Sequence, residues 1–75
     1  MDYFEKRFQQ VLDNFSFSRR VYRHDRMRCE QCYQASLGEL DDIFNRHDRH
    51  DSFSKRLMDC RDRFKRQMKK EYLGI

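Results

Sequence analysis

Two cysteines and two histidines in this chain have the spacing of zinc ligands. Cys29 and Cys32 are separated by two residues, and so are His47 and His50. Thiolates and imidazoles in this order form the tetrahedral structural zinc sites of small domains. A zinc-stabilised binding module is therefore one hypothesis, and in its best variant Cys60 joins Cys29, Cys32 and one histidine.

The apolar residues around the cysteines predict a helix that keeps these ligands apart. When each residue advances by 100°, nine apolar residues fall within a sector of about 160°: Val21, Tyr22, Cys29, Cys32, Tyr33, Leu37, Leu40, Ile43 and Phe44. This pattern predicts one helix over about 19–46, along which Cys32 and His47 lie roughly 22 Å apart. We therefore predict no metal site and no cofactor, and we interpret the cysteines as small core residues.

A break in this helix near Gly38 is the alternative. Ser36 and Glu39 have the spacing of a capping box around that glycine. A break at 35–38 would give four helices instead of three, and it would reopen both the zinc site and a cross-link from Cys60 to Cys29 or Cys32. We favour the unbroken helix because a break would normally reset the phase of the apolar residues.

A redox role for Cys29 and Cys32 is a further reading of the C-x-x-C spacing. Such pairs use a helix N-terminus to activate the thiol and usually follow a strand. A helix that starts near residue 19 offers neither at this position. We therefore expect no redox function.

Two more helices follow from the apolar spacing on either side. Phe4, Phe8 and Phe15 share one face with Val11 and Leu12, which predicts a helix over about 3–14 that ends at the Asn- and Ser-rich segment 14–18. Apolar residues spaced by three or four predict a helix over about 53–73, after a polar connection at 46–52. The expected fold is all-α: a short N-terminal helix and a long antiparallel helical hairpin, in one domain covering 1–75.

Composition supports the helical class and an intracellular, soluble protein. The 75 residues include no Pro and two Gly, so the turns that a small sheet needs have few suitable residues. Neither a membrane span nor a signal core is evident, although entry into an organelle such as the mitochondrion without a cleaved signal stays open. The expected hairpin with cysteines on facing helices resembles mitochondrial proteins of the twin C-x9-C type, but neither C-x9-C pair is present.

The charge pattern points to a binding surface. The net charge is +4, and Arg outnumbers Lys by 12 to 5. Antiparallel packing would place the basic start of the second helix beside the basic end of the third. The cations expected there for an acidic partner or for phosphates are Arg19, Arg20, Arg23, Arg66, Lys69 and Lys70.

Apolar residues in excess of a small core suggest a protein partner. Eleven aromatic residues are more than three thin helices hide comfortably, and several apolar side chains point away from the predicted stripes. The residues expected at a protein interface are Phe4, Phe8, Phe15, Phe17, Met27 and Leu73. We predict a non-enzymatic interaction protein, an accessory subunit or adaptor in a larger assembly or a homo-oligomer. A nucleic-acid-binding protein is the alternative.

Overall fold

The computed structural model describes residues 3–46 and 52–74, with side chains at 3–46 and 54–74. It contains three helices, α1 (Tyr3–Val21), α2 (Arg26–Asn45) and α3 (Ser52–Leu73). Among the described residues there is no strand. The predicted all-α class with three helices is therefore confirmed.

Helix α1 is longer than the sequence pattern predicted, because it continues through the segment 14–18 to Val21. The hydroxyl of Ser16 donates a hydrogen bond to the Leu12 carbonyl oxygen, 3.0 Å away and four residues back. Serine competes with helical structure when its side chain binds the backbone of a turn, but this bond keeps the side chain within the helix. The prediction that α1 ends near residue 14 is therefore wrong, and Ser16 is accommodated within the helix.

The chain breaks instead at residues 22–25, inside the helix that was predicted over 19–46. Asp25 is the N-cap of α2, with extended backbone angles of φ −119° and ψ 91°. Its carboxylate accepts a hydrogen bond from the backbone N–H of Arg28 at 3.1 Å, which satisfies one of the free donors at the helix start. Val21 shares the phase of the following stripe by coincidence, since it belongs to α1 and is exposed.

Helix α2 runs without interruption through Gly38, so the preferred reading of this segment is confirmed. Gly38 is exposed, and a Cβ atom added to it would meet no atom within 4 Å. The glycine therefore stands on the solvent face of α2. The capping-box spacing of Ser36 and Glu39 does not start a new helix, because Ser36 is buried in the middle of α2.

The three helices form a bundle in which neighbours along the chain are antiparallel. Between α2 and α3, Tyr33 stacks on Tyr72 and Asp41 pairs with Lys65. Residue numbers therefore increase along α2 in the direction in which they decrease along α3, which means that the two helices are antiparallel. Between α1 and α3, Phe8 packs on Phe64, with ring centroids 5.8 Å apart. The predicted hairpin is thus only part of the fold.

Helix α1 is a full member of the bundle and not an accessory to a hairpin. Nine buried apolar side chains form the core among the residues whose side chains are described, and α1 supplies four of them: Phe8, Val11, Leu12 and Phe15. Helices α2 and α3 contribute the other five, Leu40, Ile43, Leu57, Phe64 and Met68. The core therefore lies along the line where all three helices meet.

Candidate protein-interaction surface

The fold brings the predicted basic residues to one region of the bundle. The name basic end is used below for two segments. One is residues 16–31, which comprise the end of α1, the following turn and the start of α2, and the other is residues 66–74, the last turns of α3. It holds three acidic residues and eight basic ones, which are Arg19, Arg20, Arg23, Arg26, Arg28, Arg66, Lys69 and Lys70. The rest of the described chain holds eight basic and seven acidic residues, and one of the latter, Asp13, lines an opening together with Arg66 and Lys70. The excess of positive charge is therefore greatest around the turn between α1 and α2, where residues 16–31 hold five basic and two acidic residues.

The cations of the basic end are poorly compensated by carboxylates. In the described residues, the ion pairs include Arg28 with Asp25 at 3.7 Å but none of the other seven cations. Elsewhere in the bundle, Asp41 accepts from both Lys65 at 2.7 Å and Arg61 at 3.4 Å. The guanidinium and ammonium groups of these seven residues can therefore donate hydrogen bonds to the carboxylates or phosphates of a binding partner.

Large apolar side chains are exposed at the basic end. Phe17 is 63% exposed, Met27 71% and Leu73 56%. These three were predicted as interface residues because they lie off the apolar stripes of their helices. Val21 is a further member that the sequence reasoning missed, because it had been assigned to the buried stripe of the next helix. Its position four residues after Phe17 on α1 is the signal that would have found it.

Three of the phenylalanines predicted for docking have a different place. Phe8 and Phe15 are buried in the core, and Phe4 packs against it while remaining half-buried. Phe8 and Phe15 fill the interior that α1 shares with α2 and α3, so their assignment to a partner interface is corrected. The apolar stripe of α1 serves the chain's own core.

A stack of aromatic rings supports the basic end from inside. Tyr33 and Tyr72 lie face to face, with ring centroids 4.3 Å apart and planes at 10°. Phe15 packs against Tyr33, with ring centroids 5.7 Å apart and planes tilted by 49°. Each of the three helices contributes one ring, and the stack fixes the last turn of α3 against α1 and α2.

An open cleft of about 540 Å³ lies where the ends of the three helices converge, and we call it the junction cleft. Three arginines line it together with apolar, thiol and carboxylate groups; the lining residues are Arg19, Arg23, Arg26, Cys29, Glu30, Tyr72 and Leu73. Clefts of this size lie in the range that binding sites occupy in proteins.

Gly74 lies just beyond the end of α3, close to the side chain of Arg19. It has a positive φ of 77°, the left-handed conformation that often ends a helix, and its N–H donates to the Glu71 carbonyl oxygen at 3.2 Å. A Cβ at this position would lie 3.2 Å from Arg19 Nη2. The absence of a side chain therefore lets the Arg19 guanidinium lie close to the end of α3.

The candidate zinc ligands are only partly covered by the described residues. His47 and His50 lie outside them. Within residues 3–46 and 52–74, no three His, Cys, Asp or Glu side chains form a group suited to a metal ion. Cys29, Cys32 and Cys60 are thiols of intermediate exposure, and Cys32 and Cys60 pack against the core.

Cys29 lies closer to a helix N-terminus than the sequence pattern predicted. Because α2 begins at Arg26, Cys29 lies in its first turn and not in the middle of a longer helix. Its backbone N–H already donates to the Asp25 carbonyl oxygen at 3.0 Å, so Cys29 is inside the hydrogen-bonded helix. The expectation of a helix N-terminus remote from Cys29 is therefore wrong.

Within residues 3–46 and 52–74, none of the helices combines the length and the apolarity that crossing a bilayer requires. No protein-family model, no curated protein and no solved structure matches this chain.

Proposed function

We propose that this chain is a non-enzymatic helical interaction protein, an accessory subunit or adaptor that docks through its basic end on an acidic surface of a different protein. The observation that carries the proposal is the coincidence of two features at one place. Seven cations outside the described ion pairs and four exposed apolar side chains, Phe17, Val21, Met27 and Leu73, occur together there.

Both features match what protein interfaces use. Arginine is enriched at interfaces because its planar fork binds carboxylates with two hydrogen bonds. Exposed Phe, Met and Leu side chains add apolar area that becomes buried on association. The occurrence of both kinds of group therefore favours a partner surface that has carboxylates together with apolar groups.

Charge argues against self-association through this surface. Two copies meeting at their basic ends would each bring eight basic and three acidic residues into contact. Like charges that face each other across an interface are destabilising. A contact between the basic end of one copy and the rest of another copy would gain little, because the rest of the described chain has nearly equal numbers of basic and acidic residues. The partner is thus a different and acidic molecule.

Nucleic acid is the competing acidic partner. An arginine-rich surface binds phosphates through charge alone, with affinity that falls steeply as salt rises. The exposed aliphatic side chains of Val21, Met27 and Leu73 add nothing to a phosphate contact. They favour a protein over a nucleic acid.

The test compares two variants that lose the same number of exposed cations. In the first, four residues of the basic end are replaced by Gln: Arg20, Arg23, Arg26 and Lys69. In the matched control, four exposed cations elsewhere are replaced by Gln: Lys6, Arg46, Lys55 and Arg56. Both variants have the same net charge, so nonspecific attraction to acidic molecules falls equally.

Each protein is immobilised and exposed to an extract of its native source, with and without nuclease. We expect the wild type and the control to retain the same acidic protein in near-stoichiometric amount, and the basic-end variant to retain at least about tenfold less. Equal retention by both variants, or no retained protein at all, contradicts the proposal. Loss of the captured material on nuclease treatment assigns the surface to nucleic acid instead.

A further inference from the structure

We infer that the cleft at the junction of the three helix ends is the specific recognition site of the basic end, and that it takes an acidic peptide segment with an apolar side chain between its carboxylates. This inference rests on the proposed function and names the site and the ligand chemistry that the function needs. The occupant follows from the chemistry of the cleft walls.

The cleft has three guanidinium groups and one carboxylate. Arg19 comes from the last turn of α1, Arg23 from the turn after it and Arg26 from the first turn of α2, with Glu30 one turn further along α2. None of these three arginines has an ion pair within the described residues. Part of the Arg19 charge offsets the negative end of the α1 dipole, so Arg23 and Arg26 are the principal groups for a ligand carboxylate.

The cleft also has an apolar side. Tyr72 and Leu73 line it from α3, and Cys29 lines it from α2. Tyr72 is held by stacking on Tyr33, whereas Leu73 remains more than half exposed. An anion alone would leave the Leu73 side chain in water, while a peptide carrying an apolar residue would bury it.

A second opening on the bundle is less suited to an acidic ligand. The space between α1 and α3 is about 670 Å³ and is lined by Arg63, Arg66 and Lys70, but also by Asp13 and Glu71. Arg63 in this space already pairs with Glu5 of α1 at 3.3 Å. Its more balanced charge leaves the junction cleft as the better site for a carboxylate-bearing ligand.

The probe is a synthetic helical peptide of about 16 residues in which two Leu, four positions apart, are surrounded by Glu. Two control peptides replace either the Glu residues by Gln or the Leu residues by Ser. A single-stranded oligonucleotide of equal charge is the fourth probe. Each is titrated into the uniformly ¹⁵N-labelled full chain, since amide shifts detect weak binding and report where it occurs.

We expect the Glu and Leu peptide to shift the amides of Arg23, Cys29, Tyr72 and Leu73, and each control peptide to bind at least about tenfold more weakly. No shift at millimolar peptide overturns the inference, as does equal binding of the three peptides. Stronger binding of the oligonucleotide at the same amides also overturns it.

Two double variants then separate the cleft from the rest of the basic end. Arg23→Gln with Arg26→Gln removes two cleft cations, and Arg20→Gln with Lys69→Gln removes two exposed cations that do not line the cleft. We expect about tenfold or greater loss of peptide binding in the first and less than about threefold in the second. The two double variants have the same net charge. Overlay of their amide spectra on that of the wild type checks that each variant keeps the fold.

The same two doubles separate failure of this inference from failure of the proposed function. If both weaken capture of the native acidic partner equally, the basic end is the interface but the cleft is not its recognition site. If neither weakens capture, the proposed function fails as well. If only the cleft double loses both the partner and the peptide, both proposals stand.

Discussion

Gly38→Ala should stabilise this protein, because the glycine lies within a continuous helix and faces solvent. A Cβ at Gly38 meets no atom within 4 Å, so the added methyl group has no steric cost. In an exposed helix interior, Ala is favoured over Gly by about 0.8–1.0 kcal/mol, mainly because the unfolded chain loses freedom. We expect the free energy of unfolding to rise by about that amount.

The size of the expected effect makes it measurable. For a domain of this length, 1 kcal/mol corresponds to a rise in Tm of roughly 4–8 °C. In urea, with a slope of about 1 kcal/mol/M for a small protein, the midpoint should move up by about 1 M. Thermal and urea unfolding followed by far-UV circular dichroism give both values from the same samples.

Two other substitutions in this chain serve as matched controls. Ala35 is also exposed within α2, so Ala35→Gly should lower stability by about 1 kcal/mol. Gly74→Ala makes the same chemical change at a positive φ of 77° and brings the new Cβ to 3.2 Å from Arg19 Nη2, so it should destabilise. The sign of the effect therefore depends on the backbone of each site.

A Gly38→Ala variant that is no more stable than the wild type would refute this reasoning. It would mean that α2 is bent or interrupted at 35–38, with Gly38 in a conformation that alanine resists. A bend there would also change how the start of α2, which lines the junction cleft, is positioned relative to the part of α2 that packs in the core.

Three further predictions address the cap, the core and the ion pairs. Asp25→Ala should cost about 1 kcal/mol and Asp25→Ser clearly less, by thermal unfolding, since serine keeps a cap acceptor; equal losses would exclude the cap. Phe15→Ala should lower the free energy of unfolding by about 3–5 kcal/mol and abolish most of the helical circular dichroism signal. Phe17→Ala should change the free energy of unfolding by less than about 0.5 kcal/mol, and similar effects of the two variants would contradict the assigned burial. Asp41→Asn should cost at most about 1 kcal/mol in dilute buffer and less in 1 M NaCl, because Asp41 is partly exposed; a loss that grows with salt would refute an ion-pair origin.

The core stripe of α1 could be read from the sequence, but its role could not. The spacing of Phe4, Phe8 and Phe15 identifies one apolar face whatever that face contacts. Whether it packs on the chain's own helices or on a partner depends on how much of it those helices cover. That is a question of three-dimensional packing, and Phe8 and Phe15 are buried by α2 and α3.

The break at 22–25 shows where periodicity alone misleads. Val21 and Tyr22 fall in the same angular sector as Leu37 and Leu40, which favoured one long helix. Asp25 was the local signal for a new start, since Asp is a strong N-cap residue. A sector of about 160° is wide enough for two helices to share it by chance.

The sequence by itself determined the helical class, the amphipathic face of each helix and the continuity of α2 through Gly38. These features depend on neighbours within one or two turns, so spacing along the chain is sufficient to predict them. Only the tertiary structure decided that Arg19, Arg26 and Leu73 line one cleft, and that Val21 is exposed instead of buried. Those relations depend on where α1 ends and how three helix ends meet, and the distances between residues far apart in the chain are set by packing in the core.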